Sequence, residues 1–328
     1  MYKRFRDVVV CLGSAMTCFW LLVPTDALPQ TYPSKPITLL SSMSVGGTGD
    51  IVGRLLAQEI SAKTGKAIIV SVQTGGLGLI APQTVVRSEP DGHTLALMFA
   101  SPMTFLPFMK DPPPYDALKD FEPVIGIYKN PIMFFAAPSM PAKTMTELIA
   151  LAKANPAQVK IGYAGSAARA FLLMLSSASG AKFLLVPYRS GLPPPLLAGE
   201  VDVIVDQPGT MIPLVKDGKA KAIGTGGLRR NGVFPEAPVI ADTVAGMEGI
   251  EMGSWLAVLA PAGTPSDRIQ WLNREFNTAL QSSQKARDQI TSAGYETLGG
   301  TPHDFAMVLK NDTTVASQIV KKFNLKMD

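Results

Sequence analysis

Three glycine- or serine-bearing loops hold residues suited to binding a small anion. Val45-Gly46-Gly47-Thr48-Gly49-Asp50 follows an apolar run and leads into a helical pattern. Gly75-Gly76-Leu77-Gly78 does the same one unit later, and Gly165-Ser166 takes that place in the middle of the chain. Small or hydroxylic residues also end apolar runs at Ser101 and at Ser190-Gly191. The first N–H groups of a helix have no intrahelical partner and sit at the positive end of its dipole, so such loops can take an anion without a charged side chain. Glycine adds close approach of a ligand to the backbone. Loops of this kind are common in α/β proteins, so their spacing points to a chemistry and not yet to a ligand.

Two catalytic readings compete with anion binding. Gly76-Leu77-Gly78-Leu79-Ile80-Ala81 fits the dinucleotide fingerprint, but the next strand ends at Ala100-Ser101 without the acid that would hold the ribose, and Pro82 follows directly. Ser166 stands between a strand and a helix like a hydrolase nucleophile, with His303 far downstream. The elbow of such enzymes wants glycine-sized residues two before and two after the serine, where this chain has Ala164 and Ala168. His303 belongs to the turn Thr301-Pro302-His303-Asp304, a pattern that caps a helix. A Ser166 hydrolase is the alternative from another functional class. With only two Cys and two His, a zinc site of three or four such ligands is nearly excluded, and we expect no cofactor, no metal and no catalysis.

The elements that position these loops follow from length and pattern. The 328 residues favour two domains, and a net charge of +4 with 17% charged residues argues against a nucleic-acid partner. Lys3, Arg4 and Arg6 precede an apolar stretch from Val8 to Val23 and a small-residue site ending at Ala27, the order of a secretory signal. That stretch of about 16 residues is short for the ~20 needed to span a bilayer. Removing residues 1–27 takes away both cysteines and one net positive charge, leaving +3.

From Pro36 on, short apolar runs alternate with helical periodicity, the mark of an α/β fold with mostly parallel strands. A helix buries Val52, Leu56 and Ile60 and stops at Gly65. Thr144 with Glu147 forms a capping box, Thr264-Pro265-Ser266-Asp267 caps a helix with Ile269, Leu272, Phe276 and Leu280 on one face, and Thr301-Pro302 opens the last helix. Crossovers between two lobes are expected near Asn130 and Gly249.

Tyr32-Pro33-Ser34-Lys35-Pro36-Ile37, Gly46-Gly47 with Asp50, Pro90-Asp91-Gly92, Leu118-Lys119-Asp120-Phe121, Val186-Pro187-Tyr188, Gly199-Glu200-Val201-Asp202-Val203, Ser254-Trp255 and Ala260-Pro261-Ala262-Gly263-Thr264-Pro265 occur in a family order. The chain resembles the periplasmic solute-binding proteins of tripartite tricarboxylate transporters, the Bug family, from about residue 32 to its end. The resemblance implies a two-lobed Venus-flytrap (type II periplasmic-binding-protein) fold, each lobe a mostly parallel sheet flanked by helices, with residues 28–130 plus 251–328 as one lobe and 131–250 as the other. It implies a monomer in the periplasm that closes on a small organic carboxylate and delivers it to inner-membrane transporter subunits. A sensor or orphan binding protein of the same fold is a further reading.

Carried over by position, the ligand contacts would be Gly46, Gly47, Thr48, Gly75, Gly78 and Ser101 from one lobe, and Gly165, Ser166, Tyr188, Ser190, Gly191 and Asp206 from the other. The chain also departs from the family pattern. Ser42-Met43-Ser44 replaces a proline-phenylalanine-proline run, and Pro193-Pro194-Pro195 removes backbone donors after Gly191. Ala167, Ala168 and Arg169 stand where hydroxyls and a histidine usually fall. Arg169 and Arg189 either replace the lost donors by charge-assisted pairs or point to solvent.

Overall fold

Apolar runs of four to six residues, bounded by glycine and turn residues, become strands; longer stretches of period 3.6 become the helices that cover them. The computed structural model describes residues 31–188 and 191–326, without the side chains of Leu77 and Ser166. The expected leader, Arg189 and Ser190 lie outside the described residues. The chain divides at Ser34 into a leading unit and the body that begins at Lys35.

The body opens with β1 (Ile37–Ser41), α1 (Thr48–Thr64), β2 (Ile68–Val72), α2 (Ile80–Val86), β3 (Thr94–Phe99), α3 (Ala100–Thr104) and β4 (Phe121–Pro131). It continues through β5 (Met133–Ala136), α4 (Met145–Ala154), β6 (Lys160–Ala164), α5 (Gly165–Ser179), β7 (Leu184–Tyr188), α6 (Pro193–Leu197), β8 (Val203–Asp206), α7 (Pro208–Lys216), β9 (Lys221–Thr225) and α8 (Ile240–Thr243). It ends with β10 (Gly253–Pro261), α9 (Ser266–Ser282), α10 (Gln284–Ser292), β11 (Glu296–Gly299) and α11 (Pro302–Lys322).

Two sheets result, and the body is a two-lobed α/β fold. The first runs β11-β4-β10-β3-β1-β2 and the second β7-β6-β8-β5-β9. Both are mixed. Helical crossovers make β1–β2, β1–β3, β6–β7 and β6–β8 parallel, whereas the strands that enter and leave the second sheet pair antiparallel. Each sheet has its own core. Leu40, Met98, Trp255, Leu259 and Phe305 are packed on the first, and Phe134, Ile161, Phe171, Val203 and Val205 on the second. The last helix serves both, since Phe305 and Leu309 join the first core while Ala316, Ile319 and Val320 join the second.

Between the sheets the backbone segments lie very close. Ile132 N–H donates to Met252 O at 3.2 Å, and Gly226 N–H donates to Ile132 O at 2.9 Å. A Cβ on Gly253 would stand 2.7 Å from Asn130 O, so only glycine fits there. Most helix ends follow the sequence pattern. Gly65 closes α1 in the left-handed conformation, but only half of the expected capping box forms at α4: Thr144 Oγ1 accepts from Glu147 N–H at 3.2 Å, while the Glu147 carboxylate accepts from Lys143 N–H at 2.7 Å. Thr264 differs, because α9 begins after Pro265 and the Thr264 hydroxyl donates instead to Pro261 O at 2.7 Å, inside the preceding turn. Among the described residues no helix is long and apolar enough to cross a membrane.

Candidate functional site

The first loop is shaped by one carboxylate. Gly46 turns with φ +83°, and its N–H donates to Asp50 Oδ2 at 3.0 Å. Arg54, one turn further along α1, donates from Nε to Asp50 Oδ1 at 3.0 Å. Asp50 is buried, which opposes ionisation, yet the Arg54 and Gly46 hydrogen bonds hold its carboxyl below the ordinary aspartate range. With Asp50 occupied in this way, the helix start itself is left open. Gly47 is the N-cap and offers no side chain, so no side chain caps the first N–H groups of α1.

Those groups face a cleft of about 330 Å³ lined by Ser42, Met43, Ser44, Gly47, Thr48, Gly49, Phe99, Tyr128, Asn130, Gln207, Ser254, Trp255 and Tyr295. None of the lining residues is charged. Gln207, which follows β8, comes from the second sheet; the others come from the first sheet and its loops. The two sides touch where the Tyr295 hydroxyl donates to Gln207 Oε1. Burial raises the Tyr295 hydroxyl to about 12; a Thr48 hydrogen bond opposes that and the Asp206 charge adds to it. Tyr295 also lies against Tyr128, with ring centroids 5.1 Å apart. Asp206, at the end of β8, accepts from Gln207 N–H at 2.7 Å, and burial raises its carboxyl.

A smaller space of about 70 Å³ adjoins through Ser254 and Trp255, and is lined by both Ser101 and Ala167. The start of α5 therefore lies across from the end of β3. Ser254 Oγ accepts from Ala100 N–H at 3.2 Å and so closes the first N–H of α3. Lys129 also reaches this space, but its ammonium is paired with Glu251 at 2.6 Å. Trp255 is a buried core residue whose Nε1 donates to Asp312 at 2.9 Å.

The residues singled out from the sequence thus separate. Gly47 and Thr48 line the main cleft, and Ser101 lines the smaller space. Gly46 stands one residue back and shapes the loop. Gly78 touches the wall from behind, since a Cβ there would meet Pro102 at 3.1 Å and Ser42 Oγ at 3.4 Å. Gly75 packs on Ile80 instead. Gly165, with φ +81°, opens α5, which no side chain caps. The Ser166 side chain and Ser190 lie outside the described residues. Arg169 is exposed on α5, and Gly191 is an exposed positive-φ glycine. The Tyr188 ring lies over Gly162, and its hydroxyl donates to Glu200 at 3.3 Å. His303 is exposed in the first turn of α11. Phe99, Tyr128, Asn130, Gln207 and Tyr295 were not singled out, because each reads as an ordinary strand or loop residue. Among the described residues no group of three or more His, Cys, Asp or Glu could hold a metal.

This architecture has close relatives. A solved structure described as a periplasmic transporter is 28% identical and superposes with a TM-score of 0.72, covering 90% of this chain and all of its own. Rpa4515 of R. palustris, solved with adipate, is 26% identical with a TM-score of 0.72 over 90% of this chain and 99% of its own. MatC of Rhodopseudomonas palustris, solved with bound malate, is 25% identical with a TM-score of 0.69 over 88% of this chain and 100% of its own. The family described as "Tripartite tricarboxylate transporter family receptor" matches residues 52–325. Its match takes in the second sheet, every strand of the first but β1, the uncapped start of α5 and most of α1, and on that ground the chain belongs to the tripartite tricarboxylate transporter receptor family.

Proposed function

We propose that this protein is a periplasmic solute-binding protein that takes a small organic acid between its lobes and presents it to the membrane subunits of a tripartite transporter. The uncapped start of α1 carries this reading. It faces a cleft of about 330 Å³, within the roughly 300–1,000 Å³ usual for small-molecule sites, and no lining residue is cationic. A carboxylate is then held by backbone N–H groups, the Thr48 hydroxyl and the helix dipole. Adipate and malate in the similar structures supply the ligand class. In this reading residues 28–130 with 251–328 form one lobe and 131–250 the other, and the Tyr295–Gln207 contact draws them together. Gly165, Ser166, Arg169, Tyr188, Ser190, Gly191 and Asp206 belong to the second lobe, and the start of α5 meets Ser101 across the adjoining space. The protein acts as a monomer after loss of its leader.

A thermal-melt screen against mono-, di- and tricarboxylates tests the proposal. A ligand at 100 times its dissociation constant stabilises the fold by about 2.7 kcal/mol. At least one acid should give that shift and lose it in Thr48→Ala. If none of them moves the melt, the organic-acid reading is wrong.

A further inference from the structure

The walls of the same cleft say more about the body of the ligand, and the inference that follows rests on the organic-acid reading. Four aromatic side chains, Phe99, Tyr128, Trp255 and Tyr295, line it. Trp255 is held edge-on against Phe305, with centroids 4.9 Å apart, and by its hydrogen bond to Asp312, so this wall is fixed before any ligand arrives. Among the lining residues only the start of α1 is built to hold an anion. The far side holds Gln207 and Tyr295 beside the carboxylate of Asp206, a poor place for a second negative charge. A flat ring matches aromatic walls through offset or edge contacts, where a flexible chain with a charge at its tip does not.

Two of the polar groups on these walls are neutral and unused. Asn130 is 4% exposed and Tyr128 is 6% exposed, and both line the cleft. Alternation along β4 puts them on one face of the strand. Neither the Asn130 amide nor the Tyr128 hydroxyl has a hydrogen-bond partner among the described residues. Both groups open onto the cleft, and a ligand that enters it takes them out of water, so it must offer each a hydrogen-bond partner or leave it unmet at a cost. Each can donate and accept, which suits a hydroxyl or amide better than a carboxylate. We infer that the ligand is an aromatic monocarboxylic acid with a neutral polar group on its ring, its carboxylate at α1 and that polar group against Asn130 and Tyr128.

Isothermal titration of the protein with 4-hydroxybenzoate, benzoate, adipate and malate tests this. We expect 4-hydroxybenzoate to bind at least tenfold more tightly than adipate or malate, and several-fold more tightly than benzoate. Asn130→Ala and the isosteric Tyr128→Phe should each erase most of the preference over benzoate, in variants whose melting matches the parent. Adipate or malate binding as tightly as 4-hydroxybenzoate overturns the inference and leaves the organic-acid reading standing. So does binding of some other acid in the broader screen with none of these four bound. If both variants weaken benzoate and 4-hydroxybenzoate equally, the assigned polar contact is wrong. No binding by any acid removes both readings.

Discussion

Asp50 and Asp312 are carboxylates drawn out of water whose surroundings move their acidities in opposite directions. In Asp50, hydrogen bonds from Arg54 and Gly46 outweigh burial and lower the folded value. Its stabilisation is therefore complete above the ordinary carboxyl range and is lost as pH falls through the depressed folded value. Asp50→Asn should cost about 2 kcal/mol near neutrality, as charged hydrogen bonds do, with the gap to the parent closing below roughly pH 4. Urea unfolding at the two pH values checks it. In Asp312, burial outweighs the Trp255 hydrogen bond and the Lys129 charge, so the folded value is raised. Ionisation then penalises the fold as pH rises past the unfolded value, and the penalty is complete above the folded one. Asp312→Asn retains an acceptor for Trp255 and removes the charge. It should be more stable than the parent at pH 7 and equal to it at pH 3.

Helix starts divide into those closed by side chains and those left uncapped, which the proposed binding mode assigns to a ligand. At α11, Thr301 Oγ1 accepts from Asp304 N–H at 3.2 Å while Asp304 Oδ2 accepts from Thr301 N–H at 2.7 Å. Thr301→Ala should cost about 1 kcal/mol in chemical denaturation and leave ligand affinity alone. The start of α1 is the opposite case. Gly47 has φ −70°, and a Cβ there would meet only Ser44 O at 3.4 Å, so a side chain is tolerated. Gly47→Asp should cap α1, holding or slightly raising the melting temperature while its carboxylate displaces the anionic ligand. A loss of affinity above tenfold with an unharmed melt is the expected result; unchanged affinity would show that the ligand does not sit at this helix.

At the scale of the whole molecule, the proposed closure of the lobes draws on residues far apart in the chain. The Tyr295 hydroxyl, just before β11, meets Gln207, just after β8. Behind that contact the segments are in close register, since Asn231 Nδ2 donates to Gly294 O at 2.8 Å and a Cβ on Gly294 would stand 2.9 Å from Pro208. Tyr295→Phe removes one hydrogen bond worth about 1 kcal/mol, or about fivefold in the balance between closed and open forms. Small-angle scattering should show a larger radius for the unliganded variant, and titration a weaker affinity of about that factor. Equal radii and affinities would mean that packing around Gly294 and Pro208 closes the lobes without the hydroxyl.

The sequence by itself determined the local features. Apolar spacing marked α1, α4, α9 and β1, Gly65 ended a helix, and Gly46-Gly47-Thr48 declared an open helix start, because periodicity and capping are decided within a few residues of chain. The order of short motifs was enough for the family. Tertiary structure decided the cleft. Tyr128 and Asn130 look like any residues of a buried strand, Tyr295 like the tail of a helical hairpin, and Gln207 like a loop residue. They meet only because β4 and β10 cross between two sheets and return α10 and β11 against the start of α7. Which polar groups come to face the cleft depends on neighbours a hundred or more residues away, and local pattern carries no record of them.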